Sequence, residues 1–375
     1  MKSASYRFHP LWIVSVVAVF AALTSFANAS ERDIIVNPNA AGEFARLPAD
    51  LKFPEGITAN PANGDIYVAT LNGGGTNALL RYDRHGRLVA RNDFSGQVPM
   101  LGLAFNARDQ KVYIASVDDF VGAAPGSRIR RIPADFNANT PAETVAVLPA
   151  IGAPSPRTVP NPDGSADTIT FGDNARVPNG LVFNRRGDLY ISDSFQGAIF
   201  RIDQAHGCAA PCAITTVVQD SLLATAGFPP FGANGLALNQ DESALFIANT
   251  GDDRILRLNL ASGAIDIFSE SIDGADGIVF DAAGNLWVAA NQADRIVALN
   301  PNGRVIAQLG AFLGIRNDGT PRGLLFPASV VIVGHDIFVT NIALPLGPGA
   351  NEPESDVTTY TLARIEIPGQ LRNND

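Results

Sequence analysis

The sequence predicts an all-β fold: a six-bladed β-propeller with four-stranded blades, one domain over residues 30–375, its ring closed by an N-terminal strand. Three observations predict it: a motif that recurs six times, apolar runs of period two between turns, and an abundance of turn residues. With Gly 35, Pro 25, 46% hydrophobic and 17% charged residues in 375, the chain turns often and still has apolar surface for a large core. Disorder, collagen-like repeats and coiled coils are excluded.

Residues 1–29 read as a secretory signal. Lys2 and Arg7 give a positive start, Leu11 to Phe26 is an apolar run too short for a membrane span, and Ala27-Asn28-Ala29 is a small-x-small cleavage site. The expectation is a soluble, acidic, periplasmic or secreted protein with no membrane attachment after cleavage. The formal net charge of -10 and the lack of a basic block argue against nucleic acid as a partner.

The repeats then follow in order. Phe53-Pro-Glu-Gly-Ile57 precedes Gly64-Asp-Ile-Tyr-Val-Ala69, and Pro99-Met-Leu-Gly-Leu103 precedes Gln110-Lys-Val-Tyr-Ile-Ala115. Pro178-Asn-Gly-Leu181, Ala233-Asn-Gly-Leu236 and Ala275-Asp-Gly-Ile278 head the next three copies, and Pro327-Ala-Ser-Val330 heads a degenerate sixth. Most copies add a third alternating run, such as Ala198-Ile-Phe-Arg-Ile-Asp203, and a weaker fourth. At roughly 58 residues per copy this is the length of a four-stranded blade. The sixth copy lacks a fourth strand, and Gly42-Glu-Phe-Ala-Arg-Leu47 is spare, so pairing the two closes the ring.

Cys208 and Cys212, five residues end to end, are expected to form a local disulfide in an oxidising compartment. A free nucleophilic Cys is the rival reading. A metal site there would lack a second Cys or His pair.

In a blade the first strand lines the central channel, so the residue that opens it sits at one rim. The openers are Glu55, Leu101, Asn179, Asn234, Asp276 and Ala328. Four carry side-chain oxygens, and each of those four precedes a Gly that permits close backbone packing. Asn-Gly and Asp-Gly are also good turn formers, but Glu55-Gly56 has no such preference. Two carboxylates and two amides without sulfur or imidazole describe a hard-cation site, with calcium ahead of magnesium or manganese.

The series Glu-Gly, Asn-Gly-Leu, Asn-Gly-Leu, Asp-Gly-Ile at successive blade heads resembles the senescence-marker-protein/gluconolactonase/luciferin-regenerating-enzyme-like superfamily, over about Phe44 to Pro368. Its relatives include squid-type diisopropylfluorophosphatase, paraoxonases and strictosidine synthases. The resemblance implies a six-bladed propeller with one catalytic divalent cation, commonly calcium, held by Glu55, Asn179, Asn234 and Asp276. It implies a calcium-dependent hydrolase of lactones or related esters, with Asp276 and Glu55 as the catalytic carboxylates. Asn179 and Asn234 would position both substrate and metal. Whether Asp276 acts as ligand, general base or nucleophile is open. The full quartet disfavours a strictosidine-synthase-like condensing enzyme. Ile247-Ala-Asn-Thr-Gly-Asp-Asp-Arg-Ile255 also resembles an NHL repeat, so the alternative is a non-catalytic propeller that binds a protein or small ligand, with calcium structural.

Second strands exit on the same rim, next to Asp193, Asn249, Asn291 and Asn341. Asp193 and Asn249 are candidates for orienting ligands or substrate, or else cap their own turns. His85, His206 and His335 fall on the opposite rim, which weighs against a Ser-His-Asp hydrolase. The long segments from Pro149 to Val177, Val117 to Ser127, Leu222 to Gly232 and Ile342 to Val357 reach the metal-side rim as a lid or as surface decoration. Asp163-Gly-Ser-Ala-Asp167 has a faint calcium-loop character without the Gly and distal Glu of an EF-hand.

Overall fold

Second-strand sequences such as Asp65–Thr70 are almost continuously apolar, and along that strand every residue after Asp65 is buried. A strand buried on both faces needs a neighbour on each side, and a ring of sheets supplies it. The computed structural model describes residues 34–94, 98–118, 126–171, 175–347 and 352–372. The leader read at residues 1–29 lies outside them, and no helix among the described residues is long and apolar enough to cross a membrane.

Six antiparallel sheets follow one another as six propeller blades. Their innermost strands are Pro54–Asn60, Met100–Asn106, Pro178–Phe183, Ala233–Leu238, Ala275–Phe280 and Pro327–Val333. Each packs against the inner strand of the next blade, and the sixth packs against the first. One apolar layer fills each gap between blades: Tyr67, Ile114 and Phe136 lie between blades 1 and 2, and Trp287, Val339 and Ile365 between blades 5 and 6.

The ring closes as expected. Ala41–Arg46 pairs antiparallel with Thr361–Glu366 and becomes the outer strand of blade 6, with Ala41 opposite Ile365. Upstream of it, Ile35–Asn37 adds a fifth, parallel strand to blade 5 along Val305–Leu309. Two linkers fold back as hairpins: Arg157–Pro160 with Ala166–Ile169, and Phe312–Ile315 with Pro321–Gly323. Asp163 sits at the tip of the first, where its Oδ1 accepts hydrogen bonds from Ser165 N and Oγ at 2.9 and 2.6 Å. There it caps its own turn. Cys208 and Cys212 form the expected disulfide, and Cys212 N donates to Val145 O of blade 2 at 2.7 Å.

One backbone feature aims the site. In all six inner strands the register slips by one residue at the start, for example between Pro178 opposite Asp193 and Leu181 opposite Ile191. The extra residue falls at the opener and the residue after it. A bulge re-aims side chains and tightens local twist, and here it does so at each of the six blade heads.

Candidate metal centre at the propeller hub

The openers' glycines pack the hub. A Cβ on Gly56, Gly102, Gly180 or Gly235 would overlap the carbonyl oxygen of the next blade's opener, respectively Leu101, Asn179, Asn234 and Asp276. The Asn-Gly and Asp-Gly pairs are therefore needed for more than turn formation: only Gly lets successive inner strands approach this closely.

This packing brings Glu55, Asn179, Asn234 and Asp276 to one cavity of about 40 Å³, where they are between 3% and 6% exposed. Asn179 Nδ2 donates to Ser194 Oγ at 3.1 Å, and Ser194 Oγ donates its own proton to Ala233 O of the next blade at 2.8 Å. Blade 4 repeats the relay: Asn234 Nδ2 donates to Thr250 Oγ1 at 2.9 Å, which donates to Ala275 O at 2.8 Å. A hydroxyl that has spent its proton can only accept, so each amide must present nitrogen to the wall, which leaves Oδ1 for the channel. In blade 5, Asn291 Nδ2 donates to Asp276 Oδ2 at 3.1 Å.

Asp276 Oδ1 and Glu55 Oε2 are buried without a hydrogen-bond partner. Burial pushes the Asp276 carboxyl up to about 7, against the hydrogen bond from Asn291. Burial, and then repulsion from Asp276, pushes Glu55 well above the usual carboxylate range. Two buried carboxylates facing one small cavity are costly unless a cation joins them. The cavity has room for one ion and a water, and its donors are all oxygens of the kind that hard cations take. Among the described residues, no group of three or more His, Cys, Asp or Glu side chains is placed to hold a metal ion.

Asp193 and Asn249 are not part of this centre. Asp193 is fully buried, and its Oδ1 accepts from the backbone N of Phe195 and Gln196 at 3.1 and 2.9 Å. Asn249 Nδ2 donates to Leu222 O and Ala224 O at 2.9 and 3.0 Å. Asp193 caps its own rim turn, and Asn249 ties down residues 222–224 while its Oδ1 accepts from Asp252 N at 3.2 Å, because the residue that ends the second strand points away from the channel and the one after it points in. Ser194, Thr250 and Asn291 occupy that next place, 15 or 16 residues beyond their openers. That nearly constant offset was the available sequence signal.

A larger cleft, about 1050 Å³, opens between blades 4 and 5 on the opposite rim, beside Phe246, Phe268 and Phe280. Its carboxylates are satisfied: Asp266 pairs with Arg257 at 2.7 Å, and Asp281 accepts from Asn285 and Trp287. Size favours the cleft and chemistry favours the hub. Unpaired buried charge decides for the hub. None of His85, His206 and His335 lines the hub cavity.

Residues 228–311, which include Asn234 and Asp276, match the SMP-30/Gluconolactonase/LRE-like region. That segment is similar to the SMP-30/gluconolactonase/LRE-like family. The chain's curated relatives include lactonase drp35 of Staphylococcus saprophyticus, 28% identical over 34% of this chain and 40% of the relative. That of Staphylococcus epidermidis is 26% identical over 43% and 49%. The matches thus span less than half the length of these relatives. Among solved structures, regucalcin of Agrobacterium tumefaciens, described as a calcium-binding protein, aligns with a TM-score of 0.57 at 16% identity, over 89% of this chain and 95% of that one. A luciferin-regenerating enzyme aligns with a TM-score of 0.56 at 13% identity, over 85% and 93%. At these identities the structural likeness shows the shared propeller fold alone.

Proposed function

We propose that this chain is an exported, metal-dependent hydrolase of lactones or related esters. The observation that carries the proposal is the pair of unpartnered buried oxygens, Glu55 Oε2 and Asp276 Oδ1, facing amide oxygens that Ser194 and Thr250 orient. The lactonase and gluconolactonase names of its relatives point the same way. Glu55, Asn179, Asn234 and Asp276 would hold one divalent cation, calcium by preference for an all-oxygen set. Once bound, such an ion polarises a carbonyl oxygen and acidifies water.

The remaining work belongs to the chain. Glu55 and Asp276 supply the negative charge. The Asn291 amide holds Asp276 Oδ2, so Oδ1 is the atom left to accept a proton from an attacking water. The Ser194 and Thr250 relays keep the Asn179 and Asn234 amides from rotating, which preorganises the oxygens before substrate arrives. Export rests on the leader read at residues 1–29.

The test is lactone turnover by purified protein with calcium, with chelator, and after calcium is returned, beside Glu55→Gln. Chelator-reversible turnover that Glu55→Gln abolishes is the expected result. A folded protein that binds calcium and turns over no lactone or ester would instead be a binding propeller with structural calcium.

A further inference from the structure

Apart from Glu55 of blade 1, the hub is polar on one side only. In blades 3, 4 and 5 the opener and the residue after the second strand are Asn179 and Ser194, Asn234 and Thr250, Asp276 and Asn291. In blades 6 and 1 the residues at that second place are Ile342 and Leu71, and blades 2 and 6 open with Leu101 and Ala328. The apolar half continues outward. Phe231, Leu344 and Leu346 stand half-buried at the mouth of the same cavity, over buried Phe326 and Pro229. Phe195 packs on Phe231 with ring centroids 5.6 Å apart, which holds that wall in place.

The donors of the polar lining are already engaged, and its unpartnered oxygens, Glu55 Oε2, Asp276 Oδ1 and Asn291 Oδ1, belong to the hub floor. The amide nitrogens of Asn179, Asn234 and Asn291 and the Thr250 hydroxyl all donate within the hub floor. No Lys, Arg or His is among the described residues that line the cavity. At about 40 Å³ the floor takes an ion and a water but no ring, so a substrate ring must sit in the mouth.

We infer that the substrates are uncharged lactones with an alkyl or aryl substituent, not polyhydroxylated sugar lactones; this rests on the lactone-hydrolase reading. Among the described residues the mouth side chains Phe231, Leu344 and Leu346 offer ring hydroxyls no partner in exchange for the water they lose there. An alkyl tail buries apolar surface against the same groups, at about fourfold in affinity for each methylene covered.

The experiment is a series on the calcium-loaded full chain, with γ-lactones whose tails lengthen from methyl to hexyl and with an aldonolactone. The expected result is a kcat/KM that rises about fourfold per methylene over the first few carbons, carried by KM, with the aldonolactone about a hundredfold or more below the best alkyl lactone. Binding of the matching alkyl lactams, which are not turned over, is followed by calorimetry and should show a heat-capacity change that grows more negative with tail length. Leu346→Ser should flatten both trends, and Phe231→Ala, on another loop, does the same if the first variant misfolds. Turnover that ignores tail length or favours the aldonolactone overturns the inference and leaves the hydrolase standing. Tail-dependent lactam binding without turnover of any lactone sinks the hydrolase and keeps the apolar mouth. Neither turnover nor tail-dependent binding overturns both.

Discussion

Replacing Asp276 with Asn should make the metal-free protein more stable at pH 8, not less. Without a cation, Asp276 and Glu55 confront each other as buried carboxylates, and burial pushes Asp276 up to about 7 from 3.8. The folded chain therefore holds a proton at Asp276 that the unfolded chain has released between those two values. Stability falls as pH rises through that window and levels off above it. Three pH units at 1.36 kcal/mol each come to a penalty on the order of 4 kcal/mol at pH 8, near zero at pH 4. Asn carries no charge, its oxygen still accepts from Asn291 Nδ2, and its nitrogen can face Glu55 Oε2. The assay is thermal unfolding of wild type and Asp276→Asn at pH 5 and pH 8, with chelator and with excess calcium. In chelator the variant should melt several degrees higher at pH 8 and less than half as far above wild type at pH 5, where about 1.2 pH units of the penalty remain. Calcium at a hundred times its dissociation constant should stabilise wild type by about 2.7 kcal/mol and the variant by almost nothing. A variant that melts lower than wild type in chelator at pH 8, or that calcium stabilises equally, would refute the reasoning.

Thr250→Val leaves Asn234 Nδ2 and Ala275 O without their shared partner, so it should cost about 2–4 kcal/mol in a denaturant titration and weaken calcium binding, while Thr250→Ser restores both. Gly235→Ala drives a methyl group into Asp276 O of the next blade and should cost about 3 kcal/mol or prevent folding, read from the denaturation midpoint. Replacing Cys208 and Cys212 together by Ser opens a five-residue loop, for an expected loss of about 2 kcal/mol in the same titration with the calcium isotherm unchanged.

Much of this molecule was legible because its signals are local. Alternating apolar runs and the Gly after each opener lie within a few residues, so blade number, the closing strand from Ala41 to Arg46 and the quartet at the hub could all be read along the chain. The parallel strand Ile35–Asn37 could not, since three residues carry no period and their partner lies near residue 307. Asp193 and Asn249 misled for a related reason. They have the right chemistry on the right rim, but the pleat turns them away and presents Ser194 and Thr250 instead.

The sequence by itself determined which oxygens are present and how often the chain returns to the hub, because residue type and repeat spacing are properties of the chain. Only the tertiary structure decided which of those oxygens are left unpaired and which side of the hub is apolar. Those facts depend on neighbours contributed by other blades, such as Ala275 O for Thr250 or Asp276 for Glu55, and only closure of the ring sets them face to face.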